Sequence, residues 1–185
     1  MLTTSLPGWL VVAVAAVCIA AFALHRRRGA GARRAELASR PDALADARLL
    51  YMEKQFRIHK PISLVARIDR GYRAVDGVIV LVELKTRWKN RAYATDVIQL
   101  SAQRMALEGQ TGQRVAAHAF VTVQRPTKAA EQWSHRVELM KPSEVLALYR
   151  RRQDIVAGRV APRYSDSFRA CKACAFRELC DKPGE

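Results

Sequence analysis

ARIDRGYRAVDGVIVLVELKT, residues 66–86, is the stretch on which the fold turns. Its second half is a nearly continuous aliphatic run, Val78 to Val82, which reads as a buried strand and then breaks abruptly into Glu83-Leu84-Lys85. Side chains on a strand alternate with a period of two, so Glu83 and Lys85 share one face. Asp76-Gly77 is a turn signal, and a hairpin folded there brings Asp69 back level with Glu83. Two carboxylates and an ammonium then converge at one end of a buried strand pair.

That arrangement suits metal-assisted phosphodiester hydrolysis. Asp69 and Glu83, with the Leu84 carbonyl as a further ligand, are hard oxygen donors for Mg2+ or Mn2+. Such a cation lowers the pKa of bound water and stabilises charge developing on phosphorus. Lys85 would orient the water and help neutralise the transition state. The same residues also allow a blander arrangement, a Glu–Lys pair on a solvated strand face with Asp69 elsewhere.

Working outward, Asp42 could cap a helix running to about Lys54, with Leu44, Ala47, Leu50 and Tyr51 on one face. Strand-like stretches follow at Phe56–His59, Ser63–Tyr72 and Gly77–Lys85. Thr95–Glu108 reads as a helix and Val115–Val123 as an apolar strand, with a short strand near His135–Met140. Pro142 opens a last helix that Gly158 stops near Ala157. Helix, strand meander, helix and strand describe an α/β (α+β) sandwich.

Asp69, a hairpin, Glu83-x-Lys85 and a following helix bearing Gln99 resemble the PD-(D/E)XK nuclease core, with its mixed central sheet flanked by helices. The helix sequence VIQLSAQRM is similar to the Q-x-x-x-Y motif of the RecB-like branch, with Gln103 standing where tyrosine is expected. The resemblance implies that Gln99 lines the active site. The tail, Cys171-x2-Cys174-x5-Cys180, resembles the C-terminal cysteine cluster of the iron–sulfur nucleases, among them the CRISPR-associated exonucleases. In those proteins an upstream fourth cysteine completes a [4Fe–4S] cluster. Here no cysteine lies between Cys18 and Cys171, so the alternatives are a cluster with a non-cysteine ligand, Zn2+ completed by His59, His118 or His135, or no metal. His59 and Glu53 are weaker candidates for the catalytic metal site.

Leu6 to Leu24 is nineteen residues without a charge, about the length that spans a bilayer core. Arginines follow it immediately, which favours a retained transmembrane helix with its C-terminal side in the cytoplasm over a cleaved signal peptide. Of the formal net charge of +15, part lies in this arginine-rich linker and suits anionic headgroups. The larger part lies beyond it and suits an anionic polymer, most simply nucleic acid. Trp88-Lys89-Asn90-Arg91 could track a phosphate backbone, with Trp88 stacking on a base, whereas Arg150–Arg152 reads as a solvated helix face.

The expected organisation is an anchor over 1–25, a basic linker over 26–41, a nuclease-like core over 42–164 and a cysteine tail over 165–185. The expected function is an Mg/Mn-dependent deoxyribonuclease, of exonuclease type, acting at a membrane. The alternative is a non-catalytic nucleic-acid-binding or assembly protein that keeps the fold.

Overall fold

The chain builds one mixed sheet whose central strand is the aliphatic run ending in Glu83-Leu84-Lys85. This is seen in a computed structural model that describes residues 33–165 and 167–180, with the single positions 17 and 31. The strands are β1 (Arg48–Ile58), β2 (Leu64–Arg73), β3 (Ile79–Thr86), β4 (Val115–Arg125) and β5 (Lys128–Glu138), in the order β1-β2-β3-β4-β5. All pairings are antiparallel except β3 with β4, which the helix α1 (Ala94–Thr111) connects. A parallel pair needs such a crossover.

The strands forecast around the hairpin, the central helix and the apolar β4 are present. The helix forecast for Asp42–Lys54 is not. Asp42–Leu44 forms one 3-10 turn, and β1 begins at Arg48. Its apolar residues serve two faces of a sheet rather than one face of a helix. Leu44, Ala47 and Leu49 pack on one side with Tyr72, Val80, Val82 and Phe120; Leu50 and Tyr51 pack on the other. A register shift between Leu49 and Tyr51 makes the change of face possible.

The second side is the larger core. Ile79, Leu81, Val121 and Val123 meet Leu100, Ala106 and Leu107 of α1, each essentially without exposure. Burying one such side chain contributes roughly 1.5–3 kcal/mol. The helix sits very close to β1, because at Gly109 a Cβ would lie 2.8 Å from Cγ2 of Ile58. Gly112, at φ 68°, closes the helix, and its N–H donates to the Glu108 carbonyl.

The reverse face carries a polar lock. Residues 33–38, expected as irregular linker, are helical and carry a buried Glu36. Its carboxylate accepts from Arg40 (2.9 and 3.0 Å) and from the Tyr72 hydroxyl (2.8 Å). Arg70 donates to the Glu36 carbonyl and to Ser39. Burial, then the bond to Glu36, pushes the Tyr72 hydroxyl up to about 12.

A second unit, Met140–Glu185, contains α2 (Pro142–Val156) and α3 (Phe168–Lys172). Pro142 opens α2, as the sequence suggests. The apolar run Leu6–Leu24 lies outside the described residues, apart from position 17. Among the described residues no helix is long and apolar enough to cross a membrane.

Candidate active site

The sheet divides where the chemistry-bearing residues lie. The β2–β3 ladder stops at Arg70 opposite Val82, although β2 continues beside β1 and β3 continues beside β4. Below that pair the two inner strands part, and the fork holds Asp69 on one prong and Glu83 on the other.

A slip in the strand alternation aims Asp69 into the fork. Leu64, Ala66 and Ile68 pack on the α1 side, Arg70 and Tyr72 face the other side, and Gly71 meets Tyr51 and Ile79 of the α1-side core. The alternation therefore shifts by one near Asp69. Lys54 and Met52 of β1 pair with the flanking Ile68 and Arg70, and Glu53 between them has a φ of 51°. A non-glycine residue in this left-handed region costs on the order of 1–3 kcal/mol and persists only where surrounding contacts enforce it. Here Ile68 fills the core while its neighbour's Oδ2 accepts the Leu84 N–H at 2.9 Å.

Glu83 is 3% exposed, which rules out a plain solvated Glu–Lys pair. Its Oε1 accepts from Lys85 Nζ (2.8 Å) and Gln99 Nε2 (2.6 Å), and its Oε2 from Gln103 Nε2 (2.8 Å). Gln99 Oε1 accepts a second bond from Lys85 at 2.9 Å. Asp69, Glu83, Lys85 and Gln99 are thus brought together as the sequence suggested. Leu84 joins them through its N–H, while its side chain packs on the reverse face.

The surroundings of Asp69 disfavour its charged form. Burial raises the Asp69 carboxyl above its ordinary value. The Leu84 N–H works against this, the Glu83 and Glu53 carboxylates add to it, and Lys85 opposes it. A divalent cation between Asp69 and Glu83 would relieve that repulsion. Among the described residues no three His, Cys, Asp or Glu side chains form a ready metal cage. Two carboxylates still fit Mg2+, which is commonly held by one or two carboxylates with waters and substrate phosphate completing the octahedron.

Two other residues of the site escaped the sequence reading as partners: Gln103, which binds Glu83, and Arg67, which pairs with Glu53. Glu53 lies on β1, not on a helix, and reaches Asp69 only as a nearby charge. His59 is exposed just beyond β1, His118 packs edge-on to Phe120, and His135 meets the Asn90 side chain at 2.7 Å.

The loop after β3 is braced at several points. Arg87 pairs with the buried Asp96 (2.7 Å) and donates to the Arg91 carbonyl, and the Tyr93 ring lies beneath both the Arg87 and Arg91 guanidiniums. Burial raises the Asp96 carboxyl, but the bonds from Arg87 and the Tyr93 N–H outweigh it and hold the group low. Trp88 projects from this loop 64% exposed.

In the second unit Cys171 lies on α3, Cys174 in the next turn and Cys180 after the 3-10 turn Arg177–Leu179. All three are free thiols. The ligand sphere expected for an iron–sulfur cluster or Zn2+ is not assembled among the described residues.

The family model of the PD-(D/E)XK nuclease superfamily matches residues 11–181, and the chain belongs to that superfamily. Among solved structures it is similar to SSO0001, at 15% identity and a TM-score of 0.49, over 94% of this chain and 76% of that one. It is also similar to a protein from Eubacterium rectale provisionally described as an exonuclease. That match has 14% identity and a TM-score of 0.44, over 78% of this chain and only 58% of the other. A search of curated proteins found no match.

Proposed function

We propose that the chain is an Mg2+- or Mn2+-dependent nuclease that hydrolyses DNA phosphodiester bonds, at ends or on single strands. The observation that carries this reading is the buried Glu83, held by Lys85 and Gln99 across a strand fork from Asp69. Burying a carboxylate is costly unless it is fully satisfied, and a fork that gathers two of them has a purpose beyond packing.

Asp69, Glu83 and the Leu84 carbonyl would hold the cation, which supplies Lewis acidity toward the attacking water and the phosphoryl oxygens. Lys85 is already fixed by Glu83 and Gln99, so its ammonium meets the phosphate without reorganising, and charge develops in the transition state against a preplaced donor. The exposed Trp88 on its braced loop offers a stacking face for an unpaired base, and Lys89 and Arg91 flank it with positive charge. The uncharged run Leu6–Leu24 and the arginines after it support a membrane location with the nuclease unit on the cytoplasmic side.

The test is cleavage of labelled single- and double-stranded DNA by the full-length chain with Mg2+, Mn2+ or EDTA. Lys85→Ala should lower the rate by roughly 10²–10³-fold, the scale for losing one preplaced donor. Glu83→Gln should lose at least as much while DNA binding persists. Unchanged cleavage in both variants would defeat the assignment, and binding without cleavage by the wild type would favour a non-catalytic nucleic-acid-binding protein.

A further inference from the structure

We propose that Gln103 is the positioning residue of the acidic site, its amide setting the separation of the strands that carry Asp69 and Glu83 and hence the site's affinity for a divalent cation. The inference rests on the metal-dependent reading above and adds to it a residue that does not touch the substrate.

Below the pair Arg70–Val82 no ladder bond fixes the gap between β2 and β3. Two side chains span it. One is Asp69, which takes the Leu84 N–H. The other is Gln103, whose Nε2 donates to the Arg67 carbonyl on β2 and to Glu83 Oε2 on β3, both at 2.8 Å. Arg67 is two residues from Asp69, so the amide ties the two carboxylate-bearing segments through one nitrogen atom.

The residue type follows from that geometry. A side-chain amide carries two protons on one nitrogen and can serve acceptors on two strands, whereas a tyrosine or serine hydroxyl has one proton to give. Being neutral, it satisfies Glu83 without cancelling the negative charge a cation requires. Gln103 is 1% exposed, on the face of α1 that also buries Leu100 and Leu107, so packing holds its amide in place. Its carbonyl oxygen is buried without a hydrogen-bond partner among the described residues. Leucine or methionine would fill similar space without that orphan atom, so packing alone does not account for glutamine here. Glutamine in place of the tyrosine of Q-x-x-x-Y is then a functional replacement.

The test uses the full-length chain and the variants Gln103→Met and Gln103→Tyr. Binding of Mn2+ is measured directly by the electron paramagnetic resonance of the free ion, without nucleic acid, and cleavage rate is followed against metal concentration. Gln103→Met, which keeps length but gives no donor, should bind Mn2+ about 10–100-fold more weakly, the usual effect of removing a partner that orients a metal ligand. Excess metal should restore most of its lost rate. Gln103→Tyr, with one donor, should fall between Gln103→Met and wild type, and it decides the matter if Gln103→Met does not fold. A folded variant that binds Mn2+ as tightly as wild type would overturn the role of Gln103. Wild-type protein that binds Mn2+ but cuts no DNA would defeat the nuclease reading instead, and the Mn2+ comparison would still decide this one.

Discussion

Replacing Gly109 by alanine sets two well-measured effects against each other. Alanine is favoured over glycine inside a helix by about 0.8–1.0 kcal/mol, so local propensity alone forecasts a more stable protein. The structure forecasts the opposite. The new methyl would stand 2.8 Å from Cγ2 of Ile58 and 3.7 Å from its Cβ and Cδ1, whereas carbon atoms settle at roughly 3.5–4.0 Å. The obstructing methyl belongs to a β-branched side chain with little rotational freedom, on a strand covered by the same helix. Overpacking of this kind costs about 1–3 kcal/mol, which leaves a net loss of up to roughly 2 kcal/mol after the propensity gain. In a chain of this size that lowers Tm by up to about 8 °C. Thermal unfolding followed by circular dichroism measures it. The double variant Gly109→Ala with Ile58→Leu, which moves the branch away from Cβ, should recover most of the loss. A raised Tm in the single variant would refute the close seating of the helix on β1, and with it the depth at which Gln99 and Gln103 are presented to Glu83.

Asp69→Asn should raise the stability of the metal-free protein at pH 7. The folded state holds this carboxyl above its ordinary value near 3.8, so the contribution it makes when protonated is lost as pH rises through the folded pKa. Scans of Tm against pH should show the variant's advantage shrinking as the pH falls through the raised folded value toward 3.8 and levelling off below it, and an advantage that grows on acidification would contradict the sign. Trp88→Ala should weaken binding of single-stranded DNA by about 5–150-fold, the equivalent of one stacked base at roughly 1–3 kcal/mol, with Tm little changed because the side chain is mostly exposed. Equal affinity in fluorescence anisotropy would remove Trp88 from the substrate path.

The sequence carried the site further than it carried its surroundings. Asp69, Glu83 and Lys85 were legible as a group because the alternation of β3 and a two-residue turn signal are local rules, although the slip of β2 at Asp69 was not foreseen, and Gln99 was legible only through the motif it resembles. Residues 42–54 were misread because Leu44, Leu50 and Tyr51 match a helical spacing, yet β1 is decided by pairing with β2 along its length, a contact no local window contains. Gln103 was visible only as a departure from a motif, since a glutamine on a helix is ordinarily at the surface and its two partners come from strands 20 and 36 residues away. Glu36 was hidden for a similar reason. A glutamate among arginines reads as linker until Tyr72 and Arg40 are seen to close over it.

The bond from the Leu84 N–H to Asp69 gives this site an internal reporter. Most amide protons of a sheet point at carbonyl oxygens, whose electron density scarcely changes with solution conditions. This one points at a titratable oxygen on the strand next door. Protonating Asp69, or drawing its charge toward a cation, weakens the acceptor and should move the Leu84 amide resonance upfield. It should also speed its exchange with solvent, while neighbouring ladder protons such as those of Val80 and Val82 stay in place. A single assigned peak would thus follow the charge state of the site in solution, without substrate or chromophore.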